Sequence, residues 1–81
     1  MSYEIEFELA ALNAAARFLK DDPAGQRGLL DALDALAEDS RPAHSTTFGL
    51  YRRLRVGPYR ALYVVEDDAV RVLVMHLGRP V

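Results

Sequence analysis

The chain has 81 residues, no cysteine and a formal net charge of −2. This length predicts a single domain over residues 1–81 with a thin core, and the absence of cysteine excludes a disulfide framework, a thiolate metal site and a cysteine nucleophile. The acidic N-terminal segment lacks the apolar region of a signal peptide, and no apolar run reaches the roughly 20 residues of a membrane span, so a cytoplasmic protein without membrane contact is expected.

Charge is divided unevenly along the chain. Residues 1–39 contain nine acids and three bases, whereas residues 40–81 contain seven bases and three acids. No acid lies between Ser40 and Val65. This segregation predicts one positive face, although solvated arginines on strands beside an acidic helix would give the same pattern.

The first predicted element is a strand over residues 3–9, because apolar residues alternate there with glutamates. The glutamates of its solvent side are Glu4, Glu6 and Glu8. Residues 9–20 change to a helical period and are rich in alanine, the strongest helix former. The apolar stripe of this helix, expected to be its buried face, consists of Leu9, Leu12, Ala16 and Leu19, with Ala15 and Phe18 beside it.

A second helix is predicted from Pro23 to about Glu38, because Asp22 is a suitable N-cap and proline is favoured at the first helical position. Its apolar stripe consists of Leu29, Leu30, Leu33, Leu36 and Ala37. The short break between the two helices predicts a helical hairpin. Residues 39–49 then have the composition of a loop.

Three consecutive strands are predicted after this loop, over residues 50–56, 59–65 and 69–77. Gly57-Pro58 and the acidic segment 66–68 separate them, so the strands should pair as antiparallel hairpins. The last strand is apolar at nearly every position and is expected near the centre of the sheet. The order β-α-α-β-β-β predicts an α+β fold in which a helical hairpin covers one face of a small, mainly antiparallel sheet.

Arginines are concentrated in the first two of these strands, at Arg52, Arg53, Arg55 and Arg60. Alternation places Arg52 on the inward side with Leu54, and Arg53 and Arg55 on the uncovered face. Arginines held on a half-buried surface suit phosphate recognition. Together with the tyrosines of the second strand they predict a nucleic-acid platform, the alternative being an ordinary wet face of an antiparallel sheet.

Other chemistry is sparse in this sequence. There is no glycine-rich phosphate loop and no HExxH pair. His44 lies in the predicted loop and His76 in the last predicted strand, so they do not form a ligand cluster. No metal site and no cofactor is therefore predicted. His76, in the last strand, is placed near the open face, where a histidine can act as a general acid or base, and a purely structural histidine is the alternative.

The chain resembles the RelE/ParE superfamily of type II toxins. The residues that carry the resemblance are RLRVGPYRALYVVEDDAVRVLVMHLG (53–78), a YEIEF-like first strand, an alanine- and leucine-rich helix, and LLDALDALAEDSRP (29–42). The resemblance implies the β-α-α-β-β-β fold. For RelE-like members it implies a ribosome-dependent mRNA endonuclease that uses the 2′-hydroxyl of the mRNA as nucleophile, and for ParE-like members inhibition of DNA gyrase.

The resemblance also implies roles for individual residues. By position, the basic residues that correspond to the catalytic positions of the family are Arg53, Arg55, Arg60 and Arg79, with Arg60 as the best candidate for phosphate contact. The residues assigned to RNA binding are Arg52, Tyr59, Tyr63 and His76. Two departures from the family are that no tail with an mRNA-stacking tyrosine follows Val81, and that the net charge is less basic than in ribosome-dependent members.

Three functions stay open on this basis: an mRNA-cleaving toxin, a gyrase-directed toxin, and an antitoxin-binding module without catalysis. All three imply a cognate antitoxin as partner, in a toxin–antitoxin hetero-oligomer. An active endonuclease would have the ribosome and mRNA as further partners. Antitoxin segments that fold on binding fit such a surface with a helix or a strand.

Overall fold

A computed structural model describes residues 2–79 of the chain. Strand β1 (Glu4–Phe7) is followed by two helices, α1 (Leu9–Asp21) and α2 (Pro23–Ala35). The remaining strands are β2 (Thr46–Phe48), β3 (Tyr51–Val56), β4 (Tyr59–Glu66) and β5 (Arg71–Gly78). The predicted order of elements is confirmed, and β2 is an addition, because it lies in a segment predicted to be a loop.

The strands form one five-stranded sheet in the order β1-β5-β4-β3-β2. β1 pairs with β5 in parallel, and the other three pairings are antiparallel. β5 is an interior strand, as expected from its apolar sequence, although β4 occupies the centre. Both helices pack on one face of this sheet, so the predicted arrangement of a helical hairpin on a mainly antiparallel sheet is confirmed.

The short strand β2 joins the sheet through a tight hairpin with β3. Thr46 pairs with Arg53, and Phe48 pairs with Tyr51, which leaves only Gly49 and Leu50 in the turn. Gly49 has φ of +62°, a left-handed conformation that glycine adopts without the strain of a side chain. A three-residue strand of this kind gives almost no alternation, which explains why the sequence pattern indicates a loop.

The buried face of α1 differs from the predicted leucine stripe. Its buried residues are Ala11, Ala14 and Ala15, whereas its exposed leucines are Leu9, Leu12 and Leu19, at 69, 53 and 41%. The prediction was wrong because it ranked residues by hydrophobicity alone. α1 packs against both β5 and α2, and small side chains let its backbone approach them closely.

The start of α2 agrees with the sequence. The Asp22 carboxylate accepts a hydrogen bond of 3.1 Å from the backbone N–H of Gly25, as expected for an N-cap. A side chain at Gly25 would collide with this carboxylate, so glycine is needed at that position. Three leucines of the predicted stripe are fully buried in the core: Leu29, Leu33 and Leu36.

The orientation of α1 leads to a stability prediction for two neighbouring residues. Leu12→Ala should change the free energy of unfolding by no more than about 0.5 kcal/mol, as at other exposed positions. Ala11→Leu should destabilise the protein by about 1–3 kcal/mol, because the added atoms have no space in a packed core. Urea denaturation of both variants measures this. A loss of about 2–5 kcal/mol for Leu12→Ala, the cost of truncating a core leucine, would contradict the structure.

Candidate functional site

The sheet face that the helices leave uncovered, called here the open face, carries a concentration of arginines at one end. Leu54 is fully buried under the helices, and alternation along β3 therefore directs Arg53 and Arg55 to the open face, as predicted. Arg55 lies directly opposite Arg60 of β4, and Arg53 lies opposite Leu62. Three guanidinium groups are thus presented by two adjacent strands.

A cleft of about 310 Å³ opens among these side chains. The residues that line this arginine cleft are Phe48, Arg53, Arg60, Leu62, His76, Gly78 and Arg79. Gly78 is the register partner of Arg60, and a Cβ atom at Gly78 would lie 3.2 Å from Nε2 of His76. The missing side chain at Gly78 therefore leaves room for the exposed imidazole beside Arg60.

The arginines that β3 and β4 present on the open face have no carboxylate partner within residues 2–79. Like charges directly opposite each other on paired strands are destabilising, and Arg55 and Arg60 form such a pair. Within residues 2–79 the arginines that pair with carboxylates are Arg41, Arg71 and Arg79. The charges of Arg53, Arg55 and Arg60 are consequently available to an external anion.

At the opposite end of the open face, the arginine is paired with carboxylates. Nε of Arg71 donates a 2.7 Å hydrogen bond to Oε1 of Glu66, and its Nη1 lies 3.5 Å from Oε2 of Glu6. The hydrogen bond from Arg71 lowers the pKa of Glu66, so this carboxylate stays ionised at neutral pH. Because Arg71 is paired with two carboxylates here, the uncompensated positive charge of the face lies at the other end, with Arg53, Arg55 and Arg60.

Packing orients the Arg53 side chain. Its guanidinium carbon lies 5.5 Å from the centre of the Phe48 ring, within the range of a cation–π interaction. Its Nε atom is buried and has no hydrogen-bond partner within the described residues. The aromatic contact therefore fixes this guanidinium at the cleft wall while leaving it without a competing carboxylate.

Arg79 occupies the end of the arginine cleft, but its charge is engaged by the helices. Its Nη2 donates a 2.7 Å hydrogen bond to Oδ2 of Asp21, and its guanidinium carbon lies 5.2 Å from the centre of the Phe18 ring and 5.8 Å from that of Tyr59. The hydrogen bond to Asp21 raises the pKa of Arg79. Its catalytic role stays a prediction, and the contacts seen tie the chain after β5 to the helical hairpin.

The prediction that Tyr59 and Tyr63 bind RNA has no geometric support. Both side chains are fully buried, because they alternate with Arg60 along β4 and lie under the helices with Ala61. Tyr59 donates its hydroxyl proton to Oδ2 of Asp22 at 2.9 Å, and Tyr63 donates to the carbonyl of Ser40 at 3.0 Å. Burial, aided by the bond to Asp22, raises the pKa of Tyr59. These tyrosines fill the core and present no ring to a ligand.

Arg52 is directed inward, as predicted, and fixes the segment before β2. Its Nε and Nη2 donate hydrogen bonds of 3.1 and 2.7 Å to Oγ of Ser45. This arrangement separates Arg52 from the arginine cleft, so its RNA contact stays a prediction without geometric support. Of the residues assigned to RNA binding, only His76 lies in the arginine cleft.

Two exposed aromatic residues near the arginine cleft were missed by sequence reasoning. Phe48 is 52% exposed and Tyr51 is 37% exposed, and the two are register partners between β2 and β3. Alternation along β3 places Tyr51 on the same face as Arg53. Alternation along β3 would have placed Tyr51 on the open face. The position of Phe48 could not be predicted, because the sequence does not indicate that β2 extends the sheet.

Within residues 2–79, no group of three His, Asp or Glu side chains is arranged to hold a metal ion. No helix of this described part is long and apolar enough to cross a membrane. The side chains of the arginine cleft offer two capacities, which are the binding of an anion by guanidinium groups and the exchange of a proton by an imidazole.

The fold is that of the RelE-like toxins of type II toxin–antitoxin systems, so the resemblance found in the sequence is confirmed. E. coli toxin RelE in complex with an antitoxin peptide is 27% identical with a TM-score of 0.77, over 100% of this chain and 86% of that chain. The intact E. coli RelBE complex is 21% identical with a TM-score of 0.83, over 99% of each chain.

An archaeal RelE–RelB complex from Pyrococcus horikoshii is similar as well, with 21% identity and a TM-score of 0.79 over 98% of this chain and 96% of that chain. No protein-family model matches the chain, and no curated protein is significantly similar to it. The similarity is thus carried by the three-dimensional structure, with modest sequence identity.

The Asp22 carboxylate beneath the site gives a pH prediction. The hydrogen bonds from the Gly25 N–H and then the Tyr59 hydroxyl lower the pKa of Asp22 below its ordinary value of 3.8. A depressed carboxyl pKa contributes stability that is present above the unfolded-state pKa of about 3.9 and is lost as the pH falls through the folded-state value. Asp22→Asn should therefore be less stable than the wild type at neutral pH, with a difference that shrinks in acid.

Urea denaturation of both proteins at neutral pH and at successive values below about pH 4 measures this difference. Both proteins lose stability in acid through their other carboxylates, so the informative quantity is the gap between the two unfolding free energies. A gap that is equally large at neutral and at acid pH would show that the Asp22 charge is not the source of the stabilisation.

Proposed function

We propose that the chain is the toxin of a type II toxin–antitoxin pair and inhibits translation as a ribosome-dependent mRNA endonuclease through the arginine cleft. The observation that carries this proposal is the directly opposed pair Arg55 and Arg60, with Arg53 beside it, left without carboxylates on the open face of a RelE fold. A cluster of unneutralised guanidinium groups is suited to a phosphodiester. The chain as a whole has a net charge of −2. The positive charge at this site is therefore a local feature and does not follow from a basic composition.

In the proposed reaction, the 2′-hydroxyl of the mRNA attacks the adjacent phosphorus atom. The bond from phosphorus to the 5′-oxygen breaks, which leaves a 2′,3′-cyclic phosphate on one fragment and a 5′-hydroxyl on the other. Arg60 and Arg53 bind the non-bridging oxygens and stabilise the additional negative charge of the transition state. Holding the nucleophile in line with the phosphate supplies the other large part of the rate enhancement.

His76 is assigned the role of general base that takes the proton of the 2′-hydroxyl, and the departing 5′-oxygen takes its proton from water. One proton leaves the 2′-hydroxyl and one must reach the departing 5′-oxygen. The His76 imidazole is exposed in the arginine cleft next to the Gly78 and Arg60 pair, and histidine exchanges protons near neutral pH. Its position beside the phosphate-binding arginine is what supports this role.

Arg60→Ala should strongly slow cleavage while leaving the fold intact, because Arg60 is exposed and its removal takes one cation from the phosphate site. The expected decrease in cleavage rate is about 100- to 1000-fold, as for the loss of one preorganised group that stabilises transition-state charge. Primer extension on mRNA in a purified translation system detects the cuts at A-site codons. Arg27→Ala, an exposed arginine on α2, is the matched control and should cleave like the wild type.

The same assay separates the other functions open to this fold. Absence of cuts by the wild type, beside an active control toxin, would reject the endonuclease. Inhibition of DNA supercoiling by gyrase would then identify a gyrase-directed toxin. Antitoxin binding with neither activity would identify a module without catalysis.

The partner that we propose is an antitoxin that covers two surfaces. Solved relatives include toxin–antitoxin complexes from E. coli and Pyrococcus horikoshii. An acidic antitoxin segment over Arg53, Arg55 and Arg60 would neutralise the open face. On the other side of the molecule, an apolar helix would occupy the exposed leucine stripe of α1, because amphipathic helices place their apolar face in such grooves.

The groove at α1 is large and apolar enough for this contact. Its volume is about 370 Å³. The lining residues are Phe7, Leu12, Asn13, Ala15, Ala16, Leu19 and Leu30. Exposed leucines that are contiguous on one face usually mark an interaction site, and the RelE structure with a bound antitoxin peptide favours the antitoxin as occupant over a second copy of this chain.

Leu12→Glu should weaken antitoxin binding by at least about 10-fold, because a charge would be buried in an apolar contact. The binding partner for the measurement is the protein encoded by an adjacent short reading frame, titrated by isothermal calorimetry. Leu50→Glu, the same substitution at a 91% exposed residue on the β2–β3 turn, is the control and should bind normally. Unchanged binding by Leu12→Glu would reject the groove as the antitoxin site, and a wild-type dimer that Leu12→Glu dissociates would assign it to self-association.

A further inference from the structure

Two aromatic rings remain in solvent beside the arginine cleft, although the proposed reaction does not use them. Phe48 is 52% exposed and Tyr51 is 37% exposed. The other tyrosines of the sheet, Tyr59 and Tyr63, are fully buried. A short chain has a small core, and burying an aromatic ring in it would stabilise the fold. A ring that stays exposed does not contribute in this way. The aromatic pair is therefore available for contact with a ligand.

The aromatic pair is continuous with the phosphate-binding arginines. Phe48 lines the arginine cleft together with Arg53 and Arg60. Its ring lies against the Arg53 guanidinium, 5.5 Å from ring centre to guanidinium carbon. Tyr51 stands opposite Phe48 in the strand register and shares the open face with Arg53. One surface thus presents flat apolar rings next to unpaired cations.

The backbone holds the aromatic pair in a defined place. Gly49, with φ of +62°, closes a two-residue turn directly between Phe48 and Tyr51. On the inward side, Arg52 donates hydrogen bonds to Ser45 and so ties the segment before β2 to β3. A short edge strand fixed at both ends loses little freedom when a ligand binds, which favours recognition by these rings.

We propose that Phe48 and Tyr51 form a stacking subsite for one unpaired base of a single-stranded nucleic acid whose phosphate lies on Arg53 and Arg60. The inference rests on the proposed function, because it takes the strand to be the mRNA. Stacking on an aromatic side chain accepts every base, since each base has a π face, and is combined with a positive groove in proteins that bind single strands. The subsite would add binding free energy for the nucleotide next to the scissile phosphate.

A nucleic acid fits this surface better than a protein segment does. The rings lie next to the cations on one face, as a base lies next to its phosphate along a strand. Within residues 2–79, Arg53 and Arg60 have no carboxylate partner, so their charge is available to phosphates. The apolar surface suited to a partner helix lies instead on α1.

The test is a double-mutant cycle in which one change is made in the protein and the other removes a single base from the mRNA. Ribosomes are programmed with mRNAs that lack one base in or next to the A-site codon, and cleavage is measured under single-turnover conditions. Phe48→Ala with Tyr51→Ala should raise the toxin concentration for half-maximal cleavage by about 5- to 100-fold, with the rate at saturation nearly unchanged. Leu50→Ala, at the exposed turn residue between the two rings, is the control and should behave like the wild type.

The decisive result is non-additivity. At one position, removing the base should raise the half-maximal concentration of the wild type as much as the two alanine substitutions raise it on normal mRNA. In the double alanine variant, the same abasic mRNA should cause no further increase. Full additivity at every position would overturn the stacking subsite while leaving the endonuclease in place. Variants that lose antitoxin binding but keep normal cleavage would also overturn it and assign the rings to the protein partner.

A second readout is independent of cleavage. A single-stranded RNA with 2′-deoxynucleotides at the cleavage position and with 2-aminopurine as the reporter base is titrated with the toxin on programmed ribosomes. A fluorescence change that Phe48→Ala with Tyr51→Ala removes supports the subsite even if the wild type cuts no mRNA, in which case only the endonuclease proposal fails. No fluorescence change with the wild type at any reporter position would overturn the subsite.

Discussion

The rest of the structure depends on one constraint, which is that two helices can cover only one face of the sheet. Every residue of β3 and β4 must therefore lie either under the helices or in solvent, and its place is decided by alternation alone. Leu54 and Ala61 are buried as a register pair, and the next pair, Arg55 and Arg60, is consequently turned outward. The same alternation builds the hydrophobic core and concentrates the positive charge, so neither feature can shift without the other.

The two ends of the open face show that its charge is arranged rather than scattered. Arg71 is bound by Glu66 and Glu6, and its charge is used within the protein. Arg55 and Arg60 repel each other across adjacent strands and receive no such compensation. A surface that served stability alone would be improved by one acid at this position. The retained repulsion is understandable if an external anion completes the site.

Much of the fold follows from local sequence patterns, because alternation and helix capping act over a few residues. The N-cap at Asp22 and the outward placement of Arg53 are of this kind. The buried alanines of α1 could not be predicted, since close helix packing depends on the sheet beneath them. β2 could not be predicted either, because three residues give no period. For Tyr59, alternation along the strand predicts the correct face. The RNA-binding prediction relied on the ability of a tyrosine ring to stack on a base. A tyrosine can equally fill a core when its hydroxyl has a hydrogen-bond partner, which here is Asp22.

The burial of Tyr59 changes how the arginine cleft is supported. Its hydroxyl binds Asp22, the cap of α2, and its ring lies beside the guanidinium of Arg79 at the end of the cleft. The side chain therefore joins the helical hairpin to the strand ends that carry the site, and it cannot leave this place to stack on a base. Under the proposed function, contact with bases would then come from rings that the core does not need. The edge hairpin of β2 and β3 offers such rings without opening the core, because Phe48 and Tyr51 are exposed there beside the arginines.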